Sequence, residues 1–139
     1  MRVLALDVGD RRTGVAISDA TALIATPLTT IHAGGEDELA EAVLALIAEH
    51  GAEEIVVGMP LTLSGQMGPQ AKRTGHFVRH LKGLTALKIK TVDERLSTVE
   101  ATQRLREAGG RRKRARAGID AAAAAVVLQA YLDSGGGRD

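Results

Sequence analysis

"LALDVGDRRTGVAISD", residues 4–19, sets out in order an apolar run, a carboxylate at Asp7, a turn carrying Gly9, Arg11 and Arg12, and a second apolar run. Val3–Leu6 reads as a strand and Gly14–Ser18 as a second one, so the stretch predicts a β-hairpin with Asp7 at the end of its first strand. "PLTTI" (27–31) predicts a third, shorter strand. The turn lacks the G-K-[ST] of a phosphate-binding P-loop.

Downstream, strands and helices alternate. Leu39, Ala40, Val43, Leu46 and Ile47 follow helical spacing and predict an amphipathic helix from Glu36 to about His50. "EEIVVGMP" then predicts a buried strand at Ile55–Gly58. "PLTLSGQMG" (60–68) reads as a loop, and Pro69 suits the first turn of a helix running to about Lys82. "LKIKTVDE" is a further strand. "STVE" (97–100) has the form of a capping box opening a helix from Thr98 to about Ala108. In the last helix, "IDAAAAAVVLQAYLD", the spacing puts Ile119, Ala122, Ala123, Val126, Val127, Ala130 and Tyr131 on one face. The order is that of an α/β sheet with helices on its faces. Crossover helices make the first strand, "IVVG" and "IKTV" parallel neighbours whose C-terminal ends share an edge, and ligands of open α/β sheets favour that edge.

With 139 residues the chain makes one domain, expected over 1–133 with a disordered tail at 134–139. Cysteine is absent, which removes thiol catalysis and Cys-ligated metals, so any metal must sit on oxygen or imidazole. No stretch approaches the length of a membrane span, and a cytoplasmic location is expected. Phe77 and Tyr131 are the only aromatic residues, which argues against modules that read single strands on aromatic platforms.

Asp7 at the first strand's end, Glu94 after "IKTV" and Asp120 in the first turn of the last helix fall on that one predicted edge. Singly, each is more often a turn former or a complement to a helix dipole. Together they offer the oxygen ligands that hard divalent cations take, and Mg2+ or Mn2+ is the expected cofactor. Paired metals of this kind activate water and stabilise the leaving oxygen in phosphoryl transfer. Asp10, Asp19 and Asp93 read as structural.

"RRKRAR" (111–116), with Arg111, Arg112, Lys113, Arg114 and Arg116, puts five positive charges in six residues just before Asp120. Such runs are usually solvated loops. Beside a metal site this one would attract a nucleic-acid backbone, with Arg11, Arg12 and Arg95 adding phosphate contacts from the rim. His76 and His80 stand four apart on a helix, but they lack the Glu of H-E-x-x-H and read as surface residues. The loop's Thr62, Ser64, Gln66 and Gln70 are weak candidates for holding a substrate strand.

The blocks "LALDVGDRRTGVAISD", "IVVGMPLTLSGQMGPQA", "TVDERLST" and "IDAAAAAVVLQAYL", in this order, resemble the YqgF/RuvX family over about residues 2–133. The resemblance implies an RNase H-like fold, a five-stranded mixed sheet flanked by helices, with Asp7, Glu94 and Asp120 at the family's acidic positions. It also implies a nuclease acting on the 5′ end of pre-16S rRNA or on Holliday junctions and other branched DNA. Val8 stands where the family often has proline, and Leu61–Ser64 replaces a loop that often contains Asn and Asp. Symmetric junction cutting needs two active sites, so a homodimer belongs to that expectation. Two other readings stay open at this stage. One is a nucleic-acid-binding assembly factor with little or no cleavage; the other takes "DVGDRRTGVA" as the phosphate-binding hairpin of an actin- or sugar-kinase-like ATPase.

Overall fold

The computed structural model describes residues 1–62, 64–96, 103 and 118–137. The elements, in chain order, are β1 (Val3–Val8), β2 (Arg12–Ser18), β3 (Ala25–His32), α1 (Glu36–His50), β4 (Glu54–Met59), α2 (Pro69–Lys82), β5 (Lys88–Asp93), a 3-10 turn (Glu94–Leu96) and α3 (Ile119–Asp133). Of the expected helix over 98–108 only Gln103, which is helical, is among the described residues; its capping box and the basic run at 111–116 lie outside them.

One five-stranded sheet has the order β3-β2-β1-β4-β5. β1, β2 and β3 pair antiparallel, while β1, β4 and β5 pair parallel, so the sheet is mixed. The C-terminal ends of β1, β4 and β5 share one edge, as the alternation of elements predicts. β1 runs one residue past Asp7, with Val8 paired to Thr13 and Asp7 opposite Gly14. The α1 and α2 bounds match the sequence reading. Among the described residues no helix is long and apolar enough to cross a membrane.

The strands bury both faces, and the faces differ in residue size. Leu4, Leu6, Val15, Ile17, Ile55 and Val57 pack against α1 and α2. Val3, Ala5, Ala16 and Val56 meet Ala124, Ala125, Leu128 and Leu132 of α3. Small residues on both sides let α3 approach β1 and β2 closely, so its alanines are contact surface and not merely helix formers.

The expected face of the last helix is corrected here. Ile119 is 88% exposed, and the buried stripe is Ala121, Ala124, Ala125, Leu128 and Leu132; of the residues expected to face inward, Val127 alone is also buried. A helix apolar on nearly every side has too little contrast for spacing to choose its face. Within that interface Gln129 is fully buried and satisfied: its Oε1 accepts from Ala25 N–H at 2.9 Å, and its Nε2 donates to the Leu23 carbonyl at 2.9 Å and to Asp133 at 3.0 Å. It pins the β2–β3 connection to α3. Residues 134–137 continue from α3 as a turn, where Gly135 N–H donates to the Leu132 carbonyl and Gly137 is buried near Val3.

Candidate metal centre and nucleic-acid interface

Asp7 stands on the α3 face of β1, in line with Val3 and Ala5. Its neighbours in the same row are both glycines: Gly14 lies directly opposite on β2, and Gly58 follows Val57, the partner of Leu6 on β4. The carboxylate therefore rises from a row without flanking side chains, and other elements fill the space.

Glu94 fills it from one side. β5 ends at Asp93, and the 3-10 turn sends the Glu94 side chain over Gly58, where an added Cβ would come within 2.8 Å of its Oε1 and 2.9 Å of its Cγ. Burial foremost, then a hydrogen bond to Asp7 and the charges of Asp7 and Asp93, push the Glu94 pKa up to about 8. Glu94 Oε1 is buried with no hydrogen-bond partner among the described residues. Two carboxyl groups held together with a buried orphan oxygen are costly on their own, and they fit an oxygen-preferring divalent cation, which would replace the shared proton.

α3 fills the other side. A Cβ at Gly14 would lie 1.9 Å from the backbone oxygen of Asp120. Only glycine admits the helix start there, one strand away from Asp7. The Asp120 carboxylate itself turns to Arg12, with Nε 3.6 Å from Oδ2. The structure thus brings Asp7 and Glu94 into contact and sets Asp120 beside them in an ion pair. Among the described residues no group of three or more carboxylates and imidazoles closes to metal-binding distance.

Arg11, Arg12, His32 and Asp120 line a shallow groove of about 660 Å3 that also includes the Gly9–Asp10 turn. His32, at the end of β3, was not singled out from sequence; it reaches the groove because it pairs with Arg12 across the ladder. Arg95 is held by Asp93, which accepts from its Nε at 2.9 Å and from its Nη2 at 2.6 Å, and it lies against Gly65 of the 60–68 loop. This hydrogen bonding lowers the Asp93 pKa. The loop closes on itself, since Thr62 Oγ1 lies 3.1 Å from Ser64 Oγ and accepts from Gln66 N–H at 3.1 Å.

Asp10 and Asp19 each have polar partners. Asp10 pairs with Arg73 at 2.8 Å. Asp19 accepts from Leu23 and Ile24 N–H and from Thr21. His76 and His80 each take a carboxylate of α1, Glu36 at 2.8 Å and Asp37 at 3.0 Å.

A family model described as RuvX, Holliday junction resolvase, matches residues 1–134. A protein of Chloroflexus aurantiacus named "Putative pre-16S rRNA nuclease" is 46% identical over 132 residues, covering 95% of this chain and 86% of its own length. A Streptomyces coelicolor protein of the same name is 41% identical over 134 residues, covering 96% and 80%. Among solved structures, RuvC of Thermus thermophilus in complex with a Holliday junction superposes with a TM-score of 0.67 at 15% identity, covering 97% of this chain and 96% of that one. Fowlpox virus resolvase with Holliday junction DNA gives 0.56 at 13% identity, covering 96% and 98%. The fold is that of RuvC-like, RNase H-type resolvases.

Proposed function

The chain belongs to the RuvX family, and from that premise we propose that it is a divalent-metal-dependent nuclease of the cytoplasm that hydrolyses phosphodiester bonds in structured nucleic acid. One observation carries the reading: Asp7 and Glu94 meet at the sheet edge, between two glycines, with a buried carboxylate oxygen that has no partner among the described residues.

Asp7 and Glu94 would hold Mg2+ or Mn2+, with Asp120 joining them on parting from Arg12. A bound divalent cation supplies an acidified water and neutralises charge building on the phosphate. The chain's own residues do the rest. Gly58 admits the Glu94 side chain and Gly14 the start of α3, so both come up against the Asp7 row. Arg12, freed from Asp120, and Arg11 hold the strand along the groove with His32. Arg95, braced by Asp93, extends that positive rim toward the loop. Arg111, Arg112, Lys113, Arg114 and Arg116 add sequence-independent attraction to the backbone.

The relatives' names favour pre-16S rRNA as substrate, with its 5′ end the part the sequence resemblance implies, and the family description supports branched DNA as a second. The test is cleavage of both with Mg2+ or Mn2+. Asp7→Asn, Glu94→Gln and Asp120→Asn should each lower the rate by about 10²-fold or more; equal cleavage by all four proteins overturns the assignment. Tight binding without turnover on either substrate, lost when the 111–116 charges are neutralised, would identify an assembly factor instead. Junction cutting calls for a homodimer on the junction, and a strict monomer by sedimentation with bound junction removes that substrate.

A further inference from the structure

On the face of the sheet opposite Asp7, beside the end of β1, α1 and α2 leave a cavity of about 410 Å3. That is within the range of about 300–1,000 Å3 that accepts small organic groups. Val8, Ala33, Leu39 and Phe77 give it apolar walls, and Phe77 is one of the chain's two aromatic residues.

Its polar groups are already balanced. Arg73 pairs with Asp10 at 2.8 Å, His76 Nδ1 with Glu36 at 2.8 Å, and Gln70 Nε2 donates to the Val8 carbonyl at 2.9 Å. Two carboxylates stand against one guanidinium, so the cavity has no surplus positive charge to draw in a phosphate. It does offer hydrogen-bonding edges: His76 Nε2, the second amide N–H of Gln70, and the backbone amides at the start of α1, which has no side-chain cap. A flat, uncharged, apolar-faced group with donors and acceptors on its rim suits this combination.

The cavity lies one residue from the carboxylates. Val8 and Gly9, which line it, directly follow Asp7, and the β pleat turns Val8 to the opposite face. Gly9 and Asp10 of the β1–β2 turn line both this cavity and the groove of Arg11, Arg12, His32 and Asp120, so a strand held in that groove can reach the cavity mouth. Resting on the nuclease reading above, we propose that this cavity receives the unstacked base of a nucleotide adjacent to the scissile phosphate. The structure then splits the substrate's two chemistries between the faces of β1, with phosphate at Asp7 and base at the half-buried Val8 and Ala33. Recognition by an unstacked base also favours substrates with unpaired or strained nucleotides over continuous duplex.

The experiment is equilibrium binding in the absence of divalent metal, so that it does not depend on cleavage. Labelled precursor rRNA and four-way DNA junction are used intact and with an abasic residue at each position near the cleavage region in turn. One abasic position should weaken binding by about tenfold or more, and 2-aminopurine there should change its fluorescence on binding. Gly34→Leu adds a side chain at the rim of the cavity, from a position where a Cβ meets no atom within 4 Å and the backbone is not left-handed. It should keep the native melting temperature, lose the same factor on the intact substrate, and show no further loss on the abasic one. Binding indifferent to every abasic substitution overturns the base pocket and leaves the nuclease reading standing. Binding indifferent to Gly34→Leu, with abasic losses intact, places the base elsewhere and overturns the cavity. Weakened binding of free inorganic phosphate by Gly34→Leu would identify an anion site and also overturn it. Base-dependent binding with no cleavage under any metal would leave the pocket standing and remove the nuclease. Failure to bind either nucleic acid overturns both.

Discussion

Gly58→Ala separates the chemistry of the carboxylate pair from its support by the fold. The added Cβ would sit 2.8 Å from Glu94 Oε1 and 2.9 Å from Glu94 Cγ, where ordinary contact begins at 3.4 Å. Glu94 must therefore retreat by about 0.6 Å or swing its carboxyl away from Asp7. The obstacle is a side chain on a short turn, so the backbone need not move, and alanine in a strand costs less entropy than glycine. Stability should change by no more than about 1 kcal/mol, or about 3 °C in melting temperature. Activity should not be spared. A misplacement approaching 1 Å in a site held to about 0.5 Å costs about 10- to 10²-fold, and Mn2+ affinity measured by calorimetry should weaken in step. Gly14→Ala is the contrast, because its Cβ would lie 1.9 Å from the Asp120 backbone oxygen and must push α3 off the sheet. It should lose at least about 1–3 kcal/mol. A Gly58→Ala protein that melts normally, binds Mn2+ normally and cleaves at the native rate would refute the placement of the reaction at Asp7 and Glu94.

Three further outcomes follow from the same contacts. Glu94 holds its proton more tightly in the fold than in the unfolded chain, so its favourable contribution is complete below about pH 4.5 and is lost as pH rises through about 8. In metal-free protein Glu94→Gln should therefore gain on the native chain by about 1–2 kcal/mol between pH 5 and 9, after allowance for solvent screening; a pH-independent difference in denaturant melts would contradict the pairing. Asp19 behaves in the opposite sense: burial works to raise its pKa, but hydrogen bonds from Ile24, Thr21 and Leu23 bring it down to about 2. Asp19→Ala should cost about 1 kcal/mol at neutral pH, and the cost should fade as acid melts are taken from pH 4 toward 2. Gln129→Leu strands the Ala25 N–H and the Leu23 carbonyl against α3 and should cost about 2–4 kcal/mol by urea unfolding, with cleavage by the folded fraction unchanged.

Much of this architecture was legible in the residue order. The hairpin, the parallel β1-β4-β5 set and both bounds of α1 and α2 follow from apolar runs, helical spacing and Pro69. Strand ends did not, because ladder bonds continue past the last buried side chain, as Val8 to Thr13 illustrates. The face of α3 was illegible for a different reason, since a helix of alanine and valine carries no polar side to mark what points outward. At the site, Asp7 and Glu94 were found from their places at strand ends. The clearances that let them meet were not, because Gly14 and Gly58 look like ordinary strand glycines until the register aligns both with Asp7. The Arg12–Asp120 pair is equally hidden, joining residues far apart in sequence.

The helix that covers Val3, Ala5 and Ala16 is the last element of the chain, while those residues are among the first. During synthesis the α3 side of the sheet therefore stays bare after the α1 and α2 side can close, and its longest-range contacts form last. Asp120 rides on that same helix and comes to Gly14 only when α3 docks. Until α3 docks, the sheet thus carries Asp7 without Asp120 near it, and the same packing that buries Ala5 and Ala16 brings Asp120 to Gly14.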